Sequence, residues 1–180
     1  PLSDNNFPKT PIQALYQEPG GKIWMGSNSE IASFNPQDGT FQHFLTYSRP
    51  LPTTRPEAVA ISAFFPDEQD GLWFDGVDGL YRFDRKTHQT QVFRAPEMLQ
   101  NVGQGIEIDS IAQDNQKNFW VLSKNALYYF ETASLQFTRR IPVTAPDANG
   151  TLKPVIARIV NLDKQGEVWV GGIGFLGRLD

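Results

Sequence analysis

Residues 71–84 read GLWFDGVDGLYRFD. Leu72, Trp73 and Phe74 stand side by side, Gly76 and Gly79 break the run, and Leu80-Tyr81-Arg82-Phe83-Asp84 resumes it. Successive side chains of a strand point to opposite faces. Three large apolar residues in a row therefore indicate a strand buried on both sides, and the fold is decided by what covers them.

Working outward, Trp73 is one of four tryptophans, with Trp24, Trp120 and Trp169, spaced by 49, 47 and 49 residues. Aligned on them, the chain gives QEPGGKIWMGSNSEIASFN, PDEQDGLWFDGVDGLYRFD, QDNQKNFWVLSKNALYYFE and LDKQGEVWVGGIGFLGRLD. Six positions before each indole lies an acid: Glu18, Asp67, Asp114 and Asp163. Seven after it lies Ile31, Leu80, Leu127 or Leu176, and nine before it Leu15, Phe64, Ile111 or Val160. Each copy reads as strands joined by short turns rich in Gly, Asn and Asp, with no 3.6-residue periodicity. Strand A is expected near Ile12–Gln17, Val59–Phe65, Ile106–Gln113 and Val155–Leu162, strand B around each tryptophan, and strand C after a second turn. A less apolar strand D follows in the first three copies, as TFQHFLT, TQVFR and LQFTRR.

Four strands every 48 residues or so is the pattern of a β-propeller blade. Blades stack face to face, which covers Leu72-Trp73-Phe74 and its counterparts Ile23-Trp24-Met25, Phe119-Trp120-Val121 and Val168-Trp169-Val170 on both sides. The expected fold is all-β, a partial propeller of about 3.75 four-stranded blades within one domain spanning 1–180. The blades fall at about 11–47, 58–95, 106–141 and 155–180, the last one incomplete. A closed seven-blade ring of this period would take roughly 330 residues. Open blade edges invite pairing, so self-association is expected, for instance as a two-fold dimer that completes a ring.

The chain has 180 residues, 39% of them hydrophobic, and a net charge of −4. That is ample for a packed core, and the acidic balance with scattered basic residues argues against a nucleic-acid partner. With no cysteine there is no disulfide and no thiolate metal site. No apolar run approaches the roughly 18 residues of a membrane span, so a membrane is expected to be met only through segments absent from this chain. No signal peptide is evident, and the start at Pro1 reads as a trimmed or processed chain.

The second copy, with Ile61, Ala63, Asp67, Trp73, Gly79, Leu80, Arg82, Phe83 and Asp84, resembles the two-component regulator propeller repeat. The first copy carries the resemblance at Ile12, Ala14, Gly21, Trp24, Gly26, Ser27, Ile31, Phe34 and Asn35, and the fourth at Gly166, Trp169, Gly171, Leu176, Arg178 and Asp180. The third departs most, with Leu122 for the glycine and Tyr129 for the arginine. The resemblance implies an extracytoplasmic, periplasmic sensory module of a bacterial membrane receptor whose cytoplasmic part is a histidine kinase or a diguanylate cyclase. It also implies recognition of oligosaccharide fragments. No kinase or cyclase motif stands in the chain, which is read as the detector and not an enzyme.

Candidate residues divide by whether they follow or break the repeat. The recurring acids are expected to hold backbone amides of the A–B turn, as Asp does in Asx-turns. Arg82 and Arg178 are expected to pair with an acid such as Asp84 or Asp180. His43 and His88, the only histidines, fall near strand D and are expected to face solvent. Asp67-Glu68-Gln69-Asp70-Gly71 lacks the ligand spacing of a calcium loop, and no metal or cofactor is expected. Propeller ligands usually sit at one mouth of the channel, where B–C turns and D–A connections meet. The expected contacts with a small molecule or oligosaccharide are Asn28, Arg55, Asp75, Asp78, Lys124, Asn125 and Phe175. The long D–A connections SRPLPTTRPEA, RAPEMLQNVGQGIE and IPVTAPDANGTLKP read as functional or linker-like loops. Two other classes remain open: a propeller enzyme acting on carbohydrate, as lyase or hydrolase, and a protein-interaction scaffold.

Overall fold

The computed structural model describes residues 11–27, 30–45, 61–76, 79–95, 108–123 and 126–179. Among them there is no helix, and none therefore long and apolar enough to cross a membrane. The strands form antiparallel sheets in meander order. The first holds β1 (Ile12–Gln17), β2 (Ile23–Ser27), β3 (Glu30–Asn35) and β4 (Thr40–Leu45). The second holds β5 (Phe65–Pro66), β6 (Gly71–Gly76), β7 (Gly79–Asp84) and β8 (Thr90–Phe93). The third holds β9 (Ser110–Gln113), β10 (Phe119–Ser123), β11 (Ala126–Glu131) and β12 (Gln136–Pro142). A hairpin of β13 (Thr144–Pro146) and β14 (Leu152–Pro154) precedes the fourth sheet, β15 (Ala157–Leu162), β16 (Val168–Gly172) and β17 (Phe175–Arg178). The chain divides into two compact units, Pro1–Val77 with Tyr81–Gln91, and Asp78–Leu80 with Val92–Asp180.

The register keeps the repeat columns. Trp24 lies opposite Tyr16 and Ser33, Trp120 opposite Ala112 and Tyr129, and Trp169 opposite Asn161 and Arg178. Phe65 lies opposite Trp73 in the same column. The turns repeat too. The residue three before each tryptophan is left-handed in all four copies: Gly21 at φ 91°, Asp70 at 60°, Lys117 at 68° and Gly166 at 83°. The turn from strand C to strand D does the same at Gly39, His88 and Leu135. Two glycines in the first column meet this demand without strain, whereas Asp70 and Lys117 meet it at a cost.

Every residue of β6 and of β10 is buried, as the apolar runs 72–74 and 119–122 within them require. In the first unit, the Trp24 ring packs 5.5 Å from Phe44 and 5.5 Å from Phe83, edge-on to the latter. Ile61 fills the space beside Gly26, where an added Cβ would lie 2.7 Å from the Ile61 methyl. In the second unit, Trp120, Leu122 and Leu127 share a cluster with Ala157, Val160, Val168 and Val170, against which Leu162, Phe175 and Leu179 pack. The tenth residue after a tryptophan packs inward in both units: Phe83 against Trp24, and Leu179 against the cluster that holds Trp120.

Three departures from expectation have physical causes. The first strand of the second copy is not Val59–Phe65 but the two-residue β5, because the amide of Ser62 turns to a side-chain acceptor, Asp75, instead of a ladder carbonyl. Residues 59 and 60 lie outside the described residues. The strands expected at Ile106–Gln113 and Val155–Leu162 begin later, at Ser110 and Ala157. The segment IPVTAPDANGTLKP is no plain loop, since it holds the end of β12 and the hairpin β13–β14. At its tip, Asp147 Oδ1 accepts the amides of Asn149 at 2.9 Å and Thr151 at 3.1 Å, with Gly150 at φ 77°. This is the same acid-headed turn as in the repeats, and the spacing D-x-x-G signalled it.

Candidate functional site

The recurring acids do more than close turns. Asp67 Oδ1 accepts the amides of Gln69 at 2.8 Å and Gly71 at 2.7 Å. Asp114 Oδ1 takes Gln116 and Asn118 at 2.9 Å each, and Asp163 Oδ1 takes Gln165 at 2.9 Å and Glu167 at 3.0 Å. The expected Asx-turn role is present in these three copies. The second oxygen then reaches the indole: Trp73 Nε1 donates to Asp67 at 2.9 Å, and Trp169 Nε1 to Asp163 at 2.9 Å. Trp24 Nε1 donates to Glu18 Oε1 at 2.8 Å, which also takes Arg85 at 2.8 Å. The acid thus pins turn to core. The invariant six-residue offset was the signal for this second bond, which sequence reasoning missed.

In the second, third and fourth sheets the residue nine after the tryptophan is matched to the residue two before it. In the second sheet Arg82 reaches over Gly71 to Asp67, with Nε at 2.7 Å from Oδ2, and also donates to the Gln69 carbonyl. A Cβ on Gly71 would fall into the Asp67 carboxylate and the Arg82 guanidinium, so only glycine leaves this pair its space. In the third sheet Tyr129 stands in the arginine's place and donates to Asp114 Oδ2 at 2.7 Å, while Asn118 donates to the Tyr129 oxygen at 2.9 Å. In the fourth, Arg178 pairs with Glu167 at 3.0 Å. Arg82 and Arg178 are therefore ion-paired, but Arg82 to Asp67 rather than to Asp84, and Arg178 to Glu167; Asp180 lies outside the described residues. Burial raises the Asp67 pKa, but the Arg82 bond, the amides of Gly71 and Gln69 and the Trp73 indole outweigh it, holding the carboxyl below its usual value.

Of the expected ligand contacts, Asn28, Arg55, Asp78, Lys124 and Asn125 lie outside the described residues. Asp75 is not in a turn. It lies within β6, one residue before its end, is buried to 3% exposure, and accepts the Ser62 amide at 2.8 Å and hydroxyl at 2.6 Å. Burial pushes its carboxyl above the ordinary range despite these bonds. Asp75 is also a break in the repeat, because Gly26, Leu122 and Gly171 occupy its column. Phe175 opens β17, half-buried against the hydrophobic cluster of the second unit. His43 and His88 are exposed; His43 bonds Glu30 at 2.8 Å, and His88 stacks on Phe83. Among the described residues no group of three or more His, Asp or Glu is placed to hold a metal ion.

Within the second unit a groove of about 270 Å³ opens between the third and fourth sheets. It is lined by the side chains of the altered third copy, Asp114, Trp120, Tyr129 and Arg139, by Asn115 and Gln116, and by Leu162, Gly166 and Val168. The Arg139 guanidinium lies 5.3 Å from the Tyr129 ring centroid. Sequence reasoning did not single this place out, although the third copy's departure at Tyr129 marked it.

No family model and no curated protein matches the sequence. Solved structures do. The extracellular domain of the hybrid two-component system BT4673 from B. thetaiotaomicron aligns with a TM-score of 0.64 and 16% identity, over 97% of this chain and 22% of that one. A catalytically inactive virginiamycin B lyase from Staphylococcus aureus aligns at 0.65 and 17%, over 97% and 54%. The WD40 domain of Neurospora crassa Pan2 aligns at 0.64 and 12%, over 95% and 47%. The chain spans about a fifth of the two-component domain and about half of the lyase. With the meander sheets and the shared columns, these likenesses define the fold as an all-β propeller. Its neighbours include extracellular domains of hybrid two-component systems.

Proposed function

We propose that the chain is a sensory propeller module, the extracytoplasmic detector of a bacterial membrane signalling receptor related to the two-component regulator propeller family, and that it is not itself catalytic. The observation carrying this reading is the joint presence of the repeat residues Asp67, Trp73, Arg82 and Asp84 and a fold like that of extracellular two-component domains. Fold alone selects no function, so the test must read ligand response. A panel of oligosaccharides and other small molecules is screened by thermal shift with product analysis of every hit. A hit is expected to raise the melting temperature without turnover, since a ligand that binds only the folded state stabilises it. Release of a product from any panel member would replace this reading with a propeller enzyme, the second reading, which the likeness to the lyase favours.

The assembly is part of the proposal. Leu15 is 68% exposed although its counterparts Ile111 and Val160 are buried, and Leu176 is 71% exposed although Ile31, Leu80 and Leu127 are buried. Leu127 is covered by the fourth sheet, which shows what this column packs against. A second copy is proposed to cover the Leu15 and Leu176 faces. Multi-angle light scattering is expected to give a dimer that Leu176→Asp dissociates; a monodisperse monomer at high concentration rejects it.

A further inference from the structure

The groove beside Trp120 is a place where donors outnumber acceptors. Asp114 is committed, with Oδ1 on two amides and Oδ2 on the Tyr129 hydroxyl. In the other three copies the indole N–H donates to the turn acid, but here Tyr129 has taken that oxygen. Among the described residues the Trp120 N–H has no acceptor, although the residue is only 7% exposed. A buried donor left over is uncommon and calls for a partner. Arg139 forms no ion pair among the described residues, and the side-chain amides of Asn115 and Gln116 make no hydrogen bond among them. The remaining wall is apolar, from the Trp120 ring, Leu162 and Val168.

We propose that this groove is a binding site for a small organic carboxylate with a flat apolar body. The guanidinium of Arg139 supplies a planar charged fork suited to a carboxylate, and the indole N–H supplies a further donor. The indole face with Leu162 and Val168 receives the body. The Asp114 side chain close by disfavours a multiply charged anion such as phosphate, whereas a single carboxylate carries only one charge for Arg139 to balance. At about 270 Å³ the groove falls just short of the range of about 300–1,000 Å³ typical of drug-sized ligands, so one ring is the body it suits. This site is independent of the sensory reading.

The test uses the full chain with ¹⁵N-labelled tryptophan, whose four indole resonances are assigned by Trp120→Phe and its counterparts. Benzoate is the probe and benzyl alcohol its uncharged counterpart. Benzoate at millimolar concentration is expected to move the Trp120 N–H resonance saturably and to leave the Trp24 and Trp73 resonances in place. Arg139 is exposed, so Arg139→Gln is expected to fold as the parent does and to weaken benzoate about tenfold. An unresponsive Trp120 resonance overturns the site. Equal response to benzyl alcohol, or an unchanged affinity in Arg139→Gln, overturns the assignment of a carboxylate ligand.

Discussion

In the second sheet Asp67 gathers both the Trp73 indole and the Arg82 guanidinium, while in the third Asp114 takes the Tyr129 hydroxyl and leaves the Trp120 indole over. The two sheets differ at their other end as well. In the third, the amide of Asp109, just before β9, bonds a backbone acceptor, the Leu122 carbonyl, at 2.9 Å. In the second, the equivalent amide of Ser62 bonds the Asp75 side chain, and Asp75 stands where Leu122 stands. One set of repeat columns thus supports a polar version and an apolar version. The positions change in matched pairs: Gly71 with Arg82, Asn118 with Tyr129, Ser62 with Asp75.

The largest expected break is at the acids. Asp67→Ala removes the acceptor of one indole, one guanidinium and two amides, and leaves the half-buried Arg82 without its charge partner. It is expected to cost about 3 kcal/mol, against about 2 kcal/mol for Asp114→Ala, which frees a neutral phenol instead. Urea titration of both variants measures the difference, and equal costs would mean that Arg82 adds nothing to the clamp. The pH dependence carries the same sign. Because the Asp67 carboxyl titrates below its unfolded value of 3.8, its contribution is fully present above that value and is lost as pH falls through the folded pKa. The gap between parent and Asp67→Ala should therefore close only on acidification below pH of about 4.

A smaller effect tests the matching itself. Tyr129→Arg alone puts a guanidinium against Asn118, and Asn118→Gly alone removes the partner of Tyr129. Together they recreate the second sheet's arrangement around Asp114. The double-mutant cycle is expected to show favourable coupling of about 1–2 kcal/mol. The Trp120 indole resonance should also shift toward those of Trp73 and Trp169 as the acid's second oxygen becomes available. Additive single effects would mean that the pairs are independent.

The columns themselves were legible because burial on both faces, the tryptophan spacing and the turn acids each leave a one-residue signature. Meander sheets and the buried β6 and β10 followed from them. What the columns did not disclose was set between positions: Arg82 finding Asp67, fifteen residues away in sequence, requires knowing that Gly71 leaves room for it. Asp75 was read as a turn residue open to ligand because its neighbours Gly76 and Gly79 suggest a turn. Its burial depends on Ser62, in a stretch where a side chain substitutes for the ladder. The hairpin β13–β14 was hidden by two prolines in its strands, although the acid-headed turn at Asp147 announced it.

Asp75→Asn sharpens the comparison at the other end. The buried carboxylate is held above its ordinary pKa, so its ionised form opposes folding: the stability present below the unfolded value of 3.8 is lost as pH rises through the folded pKa. Asparagine keeps an acceptor for the Ser62 amide and carries no charge. The variant is expected to gain about 1 kcal/mol at neutral pH, with no gain below pH of about 4. Leu122→Asn in the same column should instead lose stability at every pH, since no serine waits there.

The smallest expected effect lies at the left-handed turn position, where the two sheets again chose differently from the first and fourth. Lys117 holds φ 68° and Asp70 φ 60°, where Gly21 and Gly166 serve elsewhere. A lysine pays for its Cβ in this region, and glycine does not, although glycine gives back part of the gain through the freedom of the unfolded chain. Lys117→Gly is therefore expected to stabilise by no more than about 1 kcal/mol. Asp70→Gly should not stabilise, because aspartate tolerates this conformation better and Asp70 pairs with Lys86 and lies 3.8 Å from Arg85. Thermal melts of the two variants decide the point: a gain in Asp70→Gly as large as in Lys117→Gly would show that these ion pairs contribute nothing to the second sheet.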